Sequence, residues 1–275
     1  MKSFGILKNS FSTLFCRKNL LLFSIVLNLL NAFLVFLVQV PCLGIIFSLA
    51  YIPIGVIFTT GFIISALNDE YKVEDPSFGD LFKATTKYFG NNIAITVVFH
   101  FLDMLGFVPS FFLLVAFGEL MLRKYGELTL YPLLLILMVF GILFTIVNNF
   151  VNCIKESCLF SSVRYSENLM TSIKGGFSRI FKNLKALIFP FFVSLIISFP
   201  SFLWALIILL FIGLIFLIPF LSLEILFGAS GVFLIFAICL GFLGIVFSIF
   251  LTPLYHVYWV KVFFRLPENN EISKY

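Results

Sequence analysis

Apolar residues along this chain fall into long unbroken runs separated by short polar stretches. The runs occupy residues 20–40, 43–67, 93–117 and 130–154, and a last apolar region covers 186–264. A helix needs about 20 apolar residues to cross a bilayer core. A barrel strand would instead show segments of about ten residues alternating apolar and polar. The pattern therefore predicts an all-α polytopic transmembrane bundle. Pro41 ends the first run and leaves room only for a tight turn, so the first two spans are antiparallel neighbours. Pro109, inside the third run, is expected as a tolerated kink. Pro190, Pro200, Pro219, Glu224 and Gly228 interrupt the last region, which divides into two spans or three. A single helix over 186–220 would be about 52 Å long, against a hydrocarbon core of about 30 Å. A break or kink near Pro190 and Pro200 is expected.

Charge decides between the two counts. Basic residues fall at the N-terminus (Lys2, Lys8, Arg17, Lys18), in 68–92 (Lys72, Lys83, Lys87), in 155–185 (Lys155, Arg164, Lys174, Arg179, Lys182, Lys185) and in the tail (Lys261, Arg265, Lys274). The segment 118–129 holds only Arg123 and Lys124. Cytoplasmic loops carry the Lys and Arg excess, and an even number of spans puts all four basic places on one side. Six spans are expected, seven being the alternative, with both termini cytoplasmic in the cell membrane. Composition agrees: the chain is 61% hydrophobic and 11% charged, where a soluble domain is about a quarter charged. The run at 20–40 is too long for a signal peptide, whose apolar region is about 7 to 15 residues before small residues; here Gln39, Val40 and Pro41 follow. The five cysteines form no C-x-x-C pair and suggest neither a disulfide framework nor a zinc site.

An internal repeat sets the architecture within one membrane domain, 1–275. Short amphipathic segments at 3–20, 77–93 and 172–184 each feed a long apolar run. They place Phe4, Leu7, Phe11, Leu14 and Phe15, then Phe78, Leu81, Phe82, Tyr88 and Phe89, then Ile173, Phe177, Ile180 and Phe181 at helical spacing. Each ends at an Asn followed by an aliphatic residue: Asn19 with Leu20, Asn92 with Ile93, Asn183 with Leu184. The opposite faces are assigned Lys8, Arg17 and Lys18, then Lys83 and Lys87, then Lys174, Arg179 and Lys182. These eight are candidate contacts to anionic lipid headgroups, because an apolar face opposite a basic one lies in the headgroup layer. The repeats run approximately 1–67, 68–154 and 155–264, with a polar tail at 265–275; each is an interfacial helix plus a helical hairpin. The alternative is solvated loops with chance periodicity.

The pattern of Ser172-Ile-Lys-Gly-Gly-Phe-Ser-Arg-Ile-Phe-Lys-Asn-Leu184 before a long apolar hairpin resembles a group of uncharacterised six-span membrane proteins. It is also similar to the membrane domain fused to some glycerophosphodiester phosphodiesterases. The resemblance covers most of the chain and implies a six-span fold. It implies no activity and no catalytic residue, since the soluble phosphodiesterase part is missing from this sequence.

Ionisable residues at membrane depth are candidate functional sites. His100 and Asp103 share a helix face, with Asp103 about 15 Å beyond Ile93. They read either as a proton or cation relay or as a hydrogen-bonded lock within the bundle. Asn28 with Asn31, and Asn148 with Asn149 and Asn152, form two amide clusters that read mainly as interhelical hydrogen bonds or else line a polar cavity. Gly244, Ser248, Thr252 and His256 recur every four residues, a stripe for close helix packing. His256 itself, beside Tyr255, Tyr258 and Trp259, reads as a surface histidine in an interfacial aromatic belt.

No P-loop, G-x-G-x-x-G, H-E-x-x-H or G-x-S-x-G motif occurs, so neither an enzyme nor a cofactor is expected. The net charge of +5 sits on one membrane face and gives no reason to expect nucleic acid. The leading expectation is a membrane-organising or lipid-interacting protein whose partners are membrane lipids; the alternative is a transporter or permeation protein with a polar cavity around Asp103 and His100.

Overall fold

The structure is a computed structural model that describes residues 3–38, 44–125, 130–198, 244 and 246–267. The described residues are helical, with no strand among them. They form α1 (Ser3–Cys16), α2 (Lys18–Val38), α3 (Gly44–Glu70), α4 (Phe78–Tyr125), α5 (Leu130–Tyr165) and α6 (Leu169–Lys182), followed by α7 (Leu184–Ser198) and α8 (Val246–Phe264). Among the described residues, Ile52–Glu70 and Val246–Phe264 are each long and apolar enough to cross a membrane; the number rises to four if each of two bent helix pairs is one span. The choice between two and three spans in 186–264 falls on residues 199–243, outside the described residues.

The two bent pairs form elbows of 84° between α1 and α2 and of 96° between α6 and α7. Asn183 caps the end of α6, its amide donating 2.9 Å to the Arg179 carbonyl. Asn19, just past the first elbow, donates 2.9 Å to the Pro76 carbonyl in the connection between α3 and α4. The third expected turn, at Asn92, does not form. The Asn92 amide reaches sideways to Thr60 Oγ1 on α3 at 2.8 Å, its backbone stays helical, and α4 runs unbroken for 48 residues through Pro109. Pro190 likewise interrupts nothing: α7 passes through it, and the bend comes before it, at Asn183.

The starts of α2, α4 and α7 and the ends of α3, α5 and α8 gather at one end of the bundle. Arg17 meets Asp69, Asn91 Nδ2 donates to the Glu167 carbonyl at 2.8 Å, and the Phe4 and Phe189 rings lie 5.6 Å apart. At that end α8 is enclosed on every side, since residues 257–263 are all buried. A helix buried all round is apolar all round, and Val257, Tyr258, Trp259, Val260, Val262 and Phe263 meet that demand. This corrects the expected aromatic belt: Tyr258 and Trp259 are among the largest fully buried side chains, and Tyr258 donates its hydroxyl to the Pro190 carbonyl at 3.2 Å.

Candidate functional site

Two polar clusters stand out at this end. The first centres on Asp69 at the end of α3. Its Oδ2 accepts from Thr13 Oγ1 and from Lys261 Nζ, each at 2.6 Å, and its Oδ1 lies 3.3 Å from Arg17 Nε. Lys261, only 4% exposed, also reaches Glu70 at 3.3 Å. Arg17 spends its fork on Asp75 at 3.5 Å and on the Val73 carbonyl at 3.0 Å. The elbow between α1 and α2 is thereby tied to α3 and α8 by charge.

The second cluster lies deeper. His256 Nδ1 is 2.9 Å from Glu156 Oε2, and the His256 ring stacks on Phe62 with centroids 5.6 Å apart. Glu156 is 2% exposed, and its other oxygen is buried without a hydrogen-bond partner. Two turns back along α5 from Glu156, Asn149 Oδ1 accepts from the Tyr255 hydroxyl at 3.3 Å, and Asn149 Nδ2 donates to Ser194 Oγ at 2.8 Å. α5, α7 and α8 are thus stitched by side-chain bonds. His256 is therefore not the surface histidine that its aromatic neighbours suggest.

The sequence missed Glu156 because the apolar run stops at Ile154, whereas α5 continues to Tyr165. One signal was present: Asn149 and Glu156 are seven residues apart, two turns along one helix face.

The other expected polar residues divide. His100 lines a cleft of about 100 Å³ with Lys155, Thr59 and Thr96 between α3, α4 and α5. Asp103 falls within α4, but its side chain, like that of Asn31, lies outside the described residues. Asn28 is buried and donates to the Ser24 carbonyl within its own helix at 2.9 Å. Asn152 Nδ2 and Asn148 Oδ1 lie 3.3 Å apart on α5, so in this cluster the interhelical bonds belong to Asn149.

Two of the eight headgroup candidates turn inward. Arg17 is 7% exposed, in the Asp69 network. Arg179 Nη1 donates to Ser161 Oγ at 2.7 Å and to the Ser157 carbonyl at 3.2 Å, and its guanidinium lies 4.9 Å from the Phe160 ring centroid. The several donors of a guanidinium let it meet such a cradle at more than one point. Beside it burial pushes the Glu167 carboxyl above its ordinary range, against the opposing pull of Arg179. Lys8, Lys18, Lys83, Lys87, Lys174 and Lys182 are exposed.

The faces of α1 are also not arranged as expected. Ile6, Ser10, Thr13 and Arg17 are buried, while Phe4, Lys8, Phe11 and Phe15 face outward together. At 3.6 residues per turn Lys8 falls among the phenylalanines, not opposite them. α6 differs again: it buries Ser172, Gly175, Gly176 and Ile180, and Phe177 stacks on Phe99 with centroids 6.3 Å apart. Of its expected apolar face only Phe181 is exposed.

Among the described residues, no group of three or more His, Cys, Asp or Glu could hold a metal ion. No protein-family model matches the chain, and neither a curated protein nor a solved structure matches it. The site is read from its own geometry.

Proposed function

We propose that this chain is a six-span integral membrane protein, with both termini on the cytoplasmic side, that organises or engages lipid at that face. The observation that carries the reading is α1. Beyond its 84° elbow it leaves Phe4, Phe11 and Phe15 exposed with Lys8 among them, while Ile6, Ser10, Thr13 and Leu14 are buried against the protein. Three phenylalanines exposed along one face mark a surface that leaves water; a helix in the headgroup layer sinks such rings into the acyl boundary while a lysine among them extends to the phosphates. The outer surfaces of the longer helices suit the same surroundings, since Leu29, Phe33, Phe101, Leu143, Val147, Phe192 and Ile196 are exposed. The resemblance to six-span membrane proteins fits this reading, and we assign the chain no catalytic role.

Cys16, exposed on α1 beside Phe15, gives the test. A nitroxide on Cys16, with Cys42→Ser and Cys239→Ser, is placed in bilayers and its collisions with oxygen and with a polar nickel complex are compared. An interfacial depth is expected. Collision rates matching free label in buffer would sink the reading.

One observation favours a second reading, a proton or cation permeation path. The Glu156 and His256 pair is largely buried with one Glu156 oxygen unpaired, and His100 lines a small cleft between α3, α4 and α5. Proton flux into liposomes that is lost in a folded Glu156→Gln variant supports permeation. Absence of flux in the wild type ends that reading.

A further inference from the structure

The cleft of about 100 Å³ between α3, α4 and α5 is walled by Gly55 and Thr59 on α3, by Thr96 and His100 on α4 and by Lys155 on α5. One water needs about 10 to 15 Å³, so the cleft has room for a small solute with some of its hydration. It lies well below the roughly 300 to 1,000 Å³ of pockets for drug-sized ligands. No acidic residue lines it among the described residues. Gly55 makes part of the room, since a Cβ there would meet nothing within 4 Å.

The lysine in this wall needs an explanation. It follows directly on the apolar run 130–154 and is partly buried, where a charge needs a partner. Its neighbour Glu156 turns away, to His256 on α8 at 2.9 Å. One turn to either side on α5 stand Val151, Asn152, Cys158 and Leu159, none of them a carboxylate, and the facing stretches 52–59 and 93–100 hold none either. Among the described residues the Lys155 ammonium has no hydrogen bond or ion pair, and neither has the hydroxyl of Thr59 or of Thr96. Thr60, by contrast, donates its hydroxyl to the Val56 carbonyl and accepts from Asn92. An ammonium is a donor only, and a hydroxyl rotates to donate where an acceptor arrives. Such a wall repels a cation and suits a small acceptor that carries negative charge.

We propose that the cleft walled by Lys155, Thr59 and Thr96 binds a small monovalent anion of the size of chloride. The lysine supplies the charge, the threonines further donors and Gly55 the space; the site asks no bond of His100. It requires neither an interfacial α1 nor a path through Glu156. The bound anion neutralises a lysine that otherwise stands between three helices without a counter-charge, and a ligand held by the folded protein alone stabilises it.

The test uses the full chain in a neutral maltoside, with bulky gluconate as the background anion. Chloride is titrated in, and the broadening of its NMR line and the Tm are followed together. Saturable broadening and a Tm that rises with chloride are expected. The affinity should fall about tenfold or more in Lys155→Met, the loss of a charge-assisted contact, and also in Gly55→Leu, whose side chain takes up the space. The exposed lysines serve as controls, so Lys8→Gln and Lys174→Gln should bind as the wild type does. Gly55→Leu keeps the test open if Lys155→Met fails to fold, because its Cβ meets no neighbour and leucine suits a helix better than glycine. Absence of saturable broadening in the wild type overturns the proposal. So does wild-type affinity in Gly55→Leu or in a folded Lys155→Met, or an equal loss in the Lys8 and Lys174 variants. Chloride binding that appears only in Asp103→Asn also overturns it, since Lys155 would then be neutralised from within the protein.

Discussion

The two elbows bend the chain through nearly the same angle, 84° and 96°, yet opposite means hold them. α1 is fastened by ions: Arg17, Asp69, Asp75 and Lys261 link it to α3 and α8, and Thr13 adds a hydrogen bond. α6 is fastened by close backbone approach at its glycines, with Arg179 bonded to Ser157 and Ser161 beside it. A Cβ on Gly176 would come within 2.7 Å of the Cys158 backbone nitrogen, and Ser157 Oγ donates to the Gly176 carbonyl at 3.1 Å. Small residues that let backbones touch are the usual means of joining helices in lipid, where apolar surface gains nothing from leaving the solvent. Charge serves at the rim, where water and headgroups keep ions solvated. The contrast suggests that α6 belongs to the bundle and that α1 is a strap across its end.

If so, the largest effect is expected at Gly176. In Gly176→Val the Cys158 backbone nitrogen and Cα, which cannot rotate away, lie in the path beside the Cys158 sulfur, so the cost should reach or exceed the upper end of the roughly 1 to 3 kcal/mol usual for overpacking. Thermal unfolding in detergent measures it. A variant as stable as the wild type would mean that α6 does not lie against α5 as described. At the other elbow Asp69→Asn removes the carboxylate shared by Arg17 and Lys261. It leaves Lys261 buried with Glu70 as its remaining ion-pair partner. A loss of about 1 to 3 kcal/mol is expected, smaller than at Gly176 because Asp69 is itself 30% exposed.

Salt should separate the two elbows without any substitution. Partly exposed pairs weaken as the screening length falls from about 10 Å at 0.1 M to about 3 Å at 1 M. Hydrogen exchange is therefore expected to speed up in α1 at high salt while α6 stays protected. Equal responses would mean that the difference in fastening does not govern the stability of either elbow.

The contrast also shows where the sequence could be read and where it could not. Long apolar runs announce helices, because a lipid-facing helix needs apolar residues on every side, and the helical reading of the described residues follows from them. Amphipathic spacing in α1 and α6 also announces short helices before the bends. Partners were not legible. Arg17 and Arg179 look like any basic residue on a charged face, and only the fold brings Asp69 to one and Ser157 and Ser161 to the other. Lys8 shares a face with phenylalanines, which charge alone does not predict, because a lysine is long enough to reach past the rings. Glu156 was hidden by ending the span where apolar residues end. His256 was misplaced because an aromatic cluster at the end of an apolar run looks the same whether it faces lipid or, as in α8, protein.

The smallest expected effect concerns the elbow that is missing. At Gly90, two residues before Asn92, α4 is continuous, and a Cβ there would meet nothing within 4 Å. In an unbroken exposed helix alanine is favoured over glycine by about 0.5 to 1 kcal/mol. Gly90→Ala should therefore raise the Tm slightly, the reverse of Gly176→Val. A fall in Tm would instead mean that the chain turns near Asn92 in the membrane, as the repeat in the sequence predicts, with Gly90 supplying the freedom; a small rise would show that the second repeat keeps no elbow, its Asn92 spent on Thr60.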